Sequence, residues 1–207
     1  MIKHAAERHA LPALQPRSRE TRARILAAAE KEFGEKGYDG ATLADIAERA
    51  GCSVGAVYFR FKDKSALFLA IAESFVEDAR AGITGIMHAS IRLDEEYIVR
   101  QFVASTAWNF RRHKGLFRAV VGRGLDQARA MRPIFKLRDE FADTLEDVLK
   151  QHGKRNPSLR VRVMTQMVYG FLLAGVLNSK SPADISDARA LSELADACVA
   201  YLKGGAE

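Results

Sequence analysis

Two short helical stretches meet at a glycine within residues 42–64, TLADIAERAGCSVGAVYFRFKDK, and this segment constrains the chain more than any other. In the first stretch Thr42 is placed as N-cap with Asp45 three residues on, a carboxylate variant of the capping box, and Leu43, Ile46, Ala47 and Ala50 fall on one face. Gly51 ends it, because a short interhelical turn demands a left-handed backbone that glycine adopts without a Cβ clash, and the small Ala47 lets the next helix cross closely. Ser53 restarts the chain as a second N-cap. From there Val54, Val57 and Phe61 share an inward face, which leaves Gly55, Ala56, Tyr58, Phe59 and Arg60 outward. That outward face is too apolar for water alone. Two aromatics beside tiny residues suit a surface pressed against another molecule, and Lys62 and Lys64 just beyond suit phosphates.

Thr42, Asp45-Ile46-Ala47, Ala50-Gly51, Ser53, Gly55, Tyr58-Phe59, Phe61-Lys62 and Lys64 together resemble, in register, the DNA-binding domain of the tetracycline-repressor (TetR) family, over roughly residues 20–72. Arg60 departs from the histidine that many members carry, and both side chains can donate to a phosphate. The resemblance implies a helix-turn-helix that sets its second helix in the DNA major groove. On this reading Thr42, Ser53, Tyr58, Lys62 and Lys64 contact phosphates, while Gly55, Ala56, Phe59 and Arg60 approach base edges, with Phe59 the partner for a thymine methyl. It further implies a homodimer on a double-stranded, palindromic operator.

The 207 residues suffice for one large or two small domains, and a hydrophobic content of 48% is ample for a core. A net charge of +6 suits a polyanionic partner, but residues 1–64 hold 12 Lys and Arg against 9 Asp and Glu, so the excess is not concentrated at the motif. Cys52 and Cys198 do not look like a designed staple, and a reducing, cytoplasmic setting is expected. Residues 1–17 carry scattered charges and prolines rather than a signal peptide, and no apolar run reaches the roughly 18 to 20 residues of a membrane span.

The remaining chain reads as helix, so the expected class is all-α: an N-terminal three-helix helix-turn-helix domain followed by a larger helical domain. Residues 1–17 form an arm, residues 18–64 the first domain, 63–81 a linking helix capped by Asp63, and 82–207 the second domain. The first helix spans Ser18 to Lys36, with Ile25, Leu26, Ala29 and Phe33 buried and Gly37 as terminator. A looser stretch is expected at 82–93. The acidic start Asp94-Glu95-Glu96 then opens a helix running to Gly115, and Pro133 and Pro157 are placed at first helical positions, dividing the rest into helices near 116–129, 133–151, 157–178 and 186–203.

In the family the last two helices form a four-helix dimer interface. The matching stripes here are Val161, Val168, Leu172, Gly175 and Val176 on one helix, and Leu191, Leu194, Ala195, Cys198, Val199 and Leu202 on the next, although both helices also carry apolar residues on a second side. The resemblance also implies a small hydrophobic effector among the middle helices, at Phe102, Ser105, Thr106, Asn109, Phe110, Phe117, Met131 and Phe135 with help from Met164, Met167 or Phe171, although by themselves these residues read equally as an ordinary core. The five histidines have no metal-ligand spacing, and no GxSxG, P-loop or dinucleotide glycine motif occurs, so neither catalysis, a cofactor nor a metal is expected. Arg111-Arg112-His113-Lys114 reads as a solvated helix end. Three roles follow: a ligand-responsive repressor, a DNA-bound structural or interaction protein of the same fold without an effector, and, least supported, an enzyme.

Overall fold

The computed structural model describes residues 16–90, 94–120, 125–151, 158–178 and 184–204, and among these every regular element is a helix. They run α1 (Pro16–Gly40), α2 (Leu43–Arg49), α3 (Val54–Tyr58), α4 (Lys64–Ser90), α5 (Glu95–Arg112), α6 (Lys114–Ala119), α7 (Leu125–Gln151), α8 (Ser158–Leu177) and α9 (Ala188–Lys203).

In α1, Ile25, Ala28, Ala29 and Phe33 are buried, and Gly37 (φ 73°) breaks the helical dihedrals before a last turn to Gly40. The α2 to α3 turn is built as its residues require. Asp45 N–H donates to Thr42 Oγ1 at 3.1 Å, and Ala56 N–H to Ser53 Oγ at 3.2 Å, so each helix has a side-chain cap. Gly51 (φ 63°) closes α2 through Gly51 N–H to Glu48 O and Cys52 N–H to Ala47 O, both 3.0 Å, the paired bonds of a Schellman ending. Val57 and Phe61 are buried, but Val54 is 39% exposed and does not join the inward face.

The second half corrects several sequence expectations. Residues 82–90 belong to α4, which is capped by Asp63 (Ala66 N–H to Oδ1, 2.7 Å) and runs on to Ser90. Gly82 is a close approach rather than a break, since a Cβ there would lie 2.4 Å from Ser105 Oγ on α5. His113 (φ −107°, ψ 29°) divides α5 from α6, so neither the helix to Gly115 nor that near 116–129 forms as expected. Pro133 lies inside α7, not at its start. The buried stripe Ala130, Ile134, Leu137, Phe141, Leu145 and Leu149 continues through it, and packing on α4 and α8 outweighs the roughly 3 kcal/mol that an interior proline costs. Pro157 and the arm to residue 15 lie outside the described residues.

Three joints tie α1 to the later helices. Gly34 and Gly115 meet backbone to backbone: a Cβ on Gly115 would lie 2.1 Å from Glu30 O, and one on Gly34 2.9 Å from Gly115 Cα. Beside them the buried His113 ring faces Glu30 (Nδ1 to Oε2, 3.2 Å) and Asp78 (Nε2 to Oδ2, 3.1 Å), joining α1, α4 and the α5 to α6 corner. Asp126 on α7 accepts from Tyr38 Oη at 2.6 Å and Ser65 Oγ at 2.8 Å.

Candidate nucleic-acid interface

The outward face of α3 and the turn after it is apolar and bare. Phe59 is 83% exposed and Tyr58 57%, in a unit whose inner residues Val57, Ile46 and Ala47 are almost fully enclosed. Gly55 is exposed with open space where a Cβ would be, apart from Ser53 Oγ at 3.9 Å, and Ala56 is half-buried, so nothing bulky stops a close approach along this side. Thr42 and Ser53 are exposed while serving as caps, each keeping its hydroxyl hydrogen to donate. Lys62 is exposed beside them.

Two basic residues of the expected set are engaged within the protein. Lys64 Nζ donates to the carbonyls of Tyr38 (2.9 Å), Asp39 (3.2 Å) and Ala41 (3.2 Å), and stands 4.8 Å from the Tyr38 ring centre. It clamps the frayed end of α1 to the start of α4, and its ammonium is committed to carbonyls rather than turned to a phosphate. Arg60 curls back, donating to Ala56 O at 3.0 Å and Ser18 Oγ at 3.4 Å with its guanidinium over Phe59, while its buried Nε has no partner. To reach a base edge it must first leave this position.

Sequence reasoning missed the charge network that fixes α2. Glu32, 3% exposed, receives Arg49 Nε at 2.6 Å and Lys36 at 2.8 Å, and Arg49 also forks onto Glu35 at 2.6 and 3.1 Å. Asp45 takes the other side of Lys36 at 2.9 Å, and that bond, then Thr42, holds its carboxyl below the usual range. The signal was the run of charges at residues 30–36 on a helix whose opposite face is core, which reads equally well as a solvated side.

The expected effector residues do not enclose a ready pocket. Phe102, Asn109, Phe110, Phe117 and Met164 are buried in a filled core, with Phe102 stacked on Phe141 (3.9 Å) and Phe110 on Phe117 (4.1 Å). Phe75, Phe102, Ser105, Thr106, Asn109 and Tyr169 surround a cavity of only about 10 Å³. Asn109 Nδ2 donates to Phe75 O at 3.1 Å there, and its buried Oδ1 has no partner. Met131 and Phe171 are half-buried at the edge of the core, while Phe135 (45%) and Met167 (40%) are exposed, Phe135 lining a shallow groove on the outer side of α7.

The expected dimer stripes turn inward within the single chain. Val161, Val168, Leu172, Val176, Leu194, Ala195, Cys198, Val199 and Leu202 are all core, and Gly175 and Leu191 are half-buried. The other side of α8 is the bare one. Leu159 (74% exposed), Met167, Gly170, Ala174 and Leu177 (44%) lie along it, and a Cβ on Gly170 would meet nothing within 4 Å. A helix apolar on both sides offers two stripes, and spacing alone does not say which one its own subunit covers.

Among the described residues no group of three or more His, Cys, Asp and Glu could hold a metal, and no helix is long and apolar enough to cross a membrane. Cys52 and Cys198 are free thiols, and burial pushes that of Cys198 up to about 11.

Residues 25–71 match the family model for bacterial regulatory proteins of the tetR family. The chain is 47% identical over 60 residues to the HTH-type transcriptional regulator TtgR of Pseudomonas putida, covering 29% of each protein. It is 35% identical over 81 residues to the HTH-type transcriptional repressor Rv1474c of Mycobacterium tuberculosis, 37% of this chain and 43% of that one. Alignment with these curated relatives thus spans less than half of their length. In fold the likeness extends further: FadR of Bacillus subtilis, solved in complex with stearoyl-CoA, superposes with a TM-score of 0.66 at 19% identity over 89% of this chain and 99% of that one. Residues 25–71, within the α1 to α4 unit with its exposed aromatic face, therefore match the DNA-binding part of the tetR family of bacterial regulatory proteins, and the likeness to FadR extends over the fold of the chain. The relatives are transcriptional regulators rather than enzymes.

Proposed function

We propose that the protein is a homodimeric, sequence-specific repressor that leaves a palindromic operator when a small apolar effector binds its second domain, residues 82–207. The observation that carries the DNA reading is the bare pair Tyr58 and Phe59, held outward by a capped and fully packed helix-turn-helix of residues 18–64. Phe59, Gly55 and Ala56 approach base edges. Tyr58, Thr42, Ser53 and Lys62 take phosphates, and Lys64 is moved from that set to the scaffold. Arg60 joins the base contacts only by exchanging its bonds to Ala56 and Ser18 for DNA. The arm, residues 1–17, lies outside this assignment.

The dimer rests on the bare side of α8, with Met167, Gly170 and Ala174 admitting a second copy's helix closely, and on the outward alanines of α9, Ala197 and Ala200. Paired α3 helices then enter successive major grooves about 34 to 36 Å apart. Selection of bound sequences from random duplexes, followed by footprinting, tests this reading. Two-fold symmetric half-sites are expected, and an asymmetric footprint or binding indifferent to sequence refutes it.

One observation favours the runner-up, a DNA-bound regulator with no effector. The core cavity at Thr106 and Asn109, about 10 Å³, falls at the lower limit for one water molecule. An effector there has to part the Phe102–Phe141 stack. Titration of the operator complex with hydrophobic compounds decides between the two, with release supporting the effector and stabilisation without release supporting the runner-up.

A further inference from the structure

The largest cavity described is not in the second domain's core. It is a cleft of about 810 Å³ between α1 and the α5 to α6 corner, within the size range of small-molecule sites. The cleft follows α1 from Arg19 to Glu35, about 24 Å at 1.5 Å per residue. Its rim is cationic, with Arg19, Arg22 and Lys31 on one wall and Arg112, Lys114 and Arg118 on the other. Of the two carboxylates that line it, Glu35 is held by the Arg49 fork, and Glu30 faces His113 through Oε2 while its buried Oε1 has no partner. Lys31 and Lys114, one on each wall, make no side-chain hydrogen bond or close ion pair among the described residues, although the Lys31 charge helps hold the Glu35 carboxyl low. Between them Ala23, Leu26 and Ala27 supply an apolar floor. At one end Gly34 and Gly115 hold the walls in backbone contact, so the cleft is anchored rather than a gap between loose parts.

We infer that this cleft binds a small organic anion, a phosphate or carboxylate carried on a slender aliphatic body, with Lys31 and Lys114 gripping the charged end from opposite walls and Ala23, Leu26 and Ala27 covering the body. Charge complementarity selects the anion, because six cationic side chains line the cleft against two carboxylates, one held by Arg49 and the other facing His113. The site is separate from the core cavity around Thr106, and it stands whether or not the operator reading holds. Since its walls are α1 and the α5 to α6 corner, occupancy ties the DNA-binding half to the second half and raises thermal stability with the logarithm of ligand concentration above Kd.

The test titrates the full chain, free of DNA, with octyl phosphate, octanoate, inorganic phosphate and octanol, read by calorimetry and thermal shift. Octyl phosphate or octanoate is expected to bind at least about 10-fold more tightly than inorganic phosphate or octanol. Lys31→Glu and Lys114→Glu, both at exposed positions, should each weaken it by about 10-fold with an unchanged circular dichroism spectrum, and Ala23→Trp should block it by filling the floor. Equal binding of inorganic phosphate would show an adventitious ion only, and equal binding of octanol would place the ligand in an uncharged core; either overturns the inference. So does binding unaffected by the two lysine substitutions. The remaining alternative is that the rim is a DNA surface: a drop of about one in the salt slope of DNA binding on Lys114→Glu, with no change in octyl phosphate affinity, would replace the small anion with phosphodiester backbone.

Discussion

Replacing Lys64 with Met separates a phosphate contact from a structural clamp, because the two roles predict opposite pairs of outcomes. Its ammonium lies within 3.2 Å of three carbonyls at the end of α1 and 4.8 Å from the Tyr38 ring. Hydrogen bonds with one charged partner contribute about 1.5 to 3 kcal/mol net, but these three share one cation at a half-buried site, so together they are worth about 2 kcal/mol. Methionine keeps most of the aliphatic stem and removes only the charge and donors. For a chain of this size each kcal/mol moves the melting temperature by about 2 to 4 °C, so a fall of about 4 to 8 °C is expected in differential scanning calorimetry. DNA affinity, measured by fluorescence anisotropy from low to moderate salt, should keep its salt slope, since no phosphate contact is lost. A variant with unchanged melting temperature and a slope lower by about 0.9 would refute the clamp and restore the lysine to the DNA contacts.

Three other substitutions probe separate parts. Phe59→Ala should leave the melting temperature unchanged, given its 83% exposure, and cost about 1 to 3 kcal/mol of operator affinity; equal affinity would remove Phe59 from the interface. Gly170→Arg, at a position open to solvent, should yield folded monomers by sedimentation, whereas Leu172→Arg should unfold the chain because Leu172 is core; a dimeric Gly170→Arg variant sinks the assignment of the bare α8 side. Burial alone lowers the His113 pKa, but the Glu30 and Asp78 carboxylates outweigh it and the net shift is upward from 6.5. A pKa raised on folding stabilises most when the histidine is protonated in both states, so stability should be greatest below about pH 6.5 and decline as pH climbs through the folded value. His113→Gln should flatten that decline in unfolding midpoints measured across the range, and an unaltered pH profile would show that the ring is not the titrating group.

The α2 to α3 unit was legible because each of its signals is local. Thr42, Ser53 and Gly51 act within four or five residues of themselves, so caps and turn follow from spacing alone. Beyond α4 the deciding contacts are distant, and the reading lost accuracy. Gly82 looks like a breaker in sequence and is a helix crossing in space; Pro133 looks like a helix start and sits within one, because the stripe on both sides of it is buried. Lys64 departs from its expected placement for a related reason. Its position beside the motif suits a phosphate, but the three carbonyls it reaches, at the end of α1 and just beyond it, lie 23 to 26 residues away. The α8 and α9 stripes show the limit most plainly, since a helix with two apolar sides needs a tertiary neighbour to choose between them.

Any movement passed between the halves of this chain has to travel through α1 as much as through α4. Arg49 on Glu32 and Glu35, and Asp45 on Lys36, fasten α2 to α1, while Lys64 fastens the start of α4 to its end. The helix-turn-helix therefore shifts with α1 as one body. From the other side α1 is met by Asp126 of α7 through Tyr38, by His113 through Glu30, and by the backbone of α6 at Gly34 and Gly115. These grips differ in kind. The glycine contact is steric and has no slack and the His113 joint is buried, whereas the half-buried Tyr38–Asp126 bond can be exchanged for water at lower cost. On the proposed effector reading, a ligand that displaces α7 would break the Tyr38 and Ser65 bonds and rock α1 about the glycine crossing, turning a small movement in the second half into a larger one at α3. In a dimer that rotation changes the separation of the two recognition helices, and DNA accepts only the separation set by its own repeat.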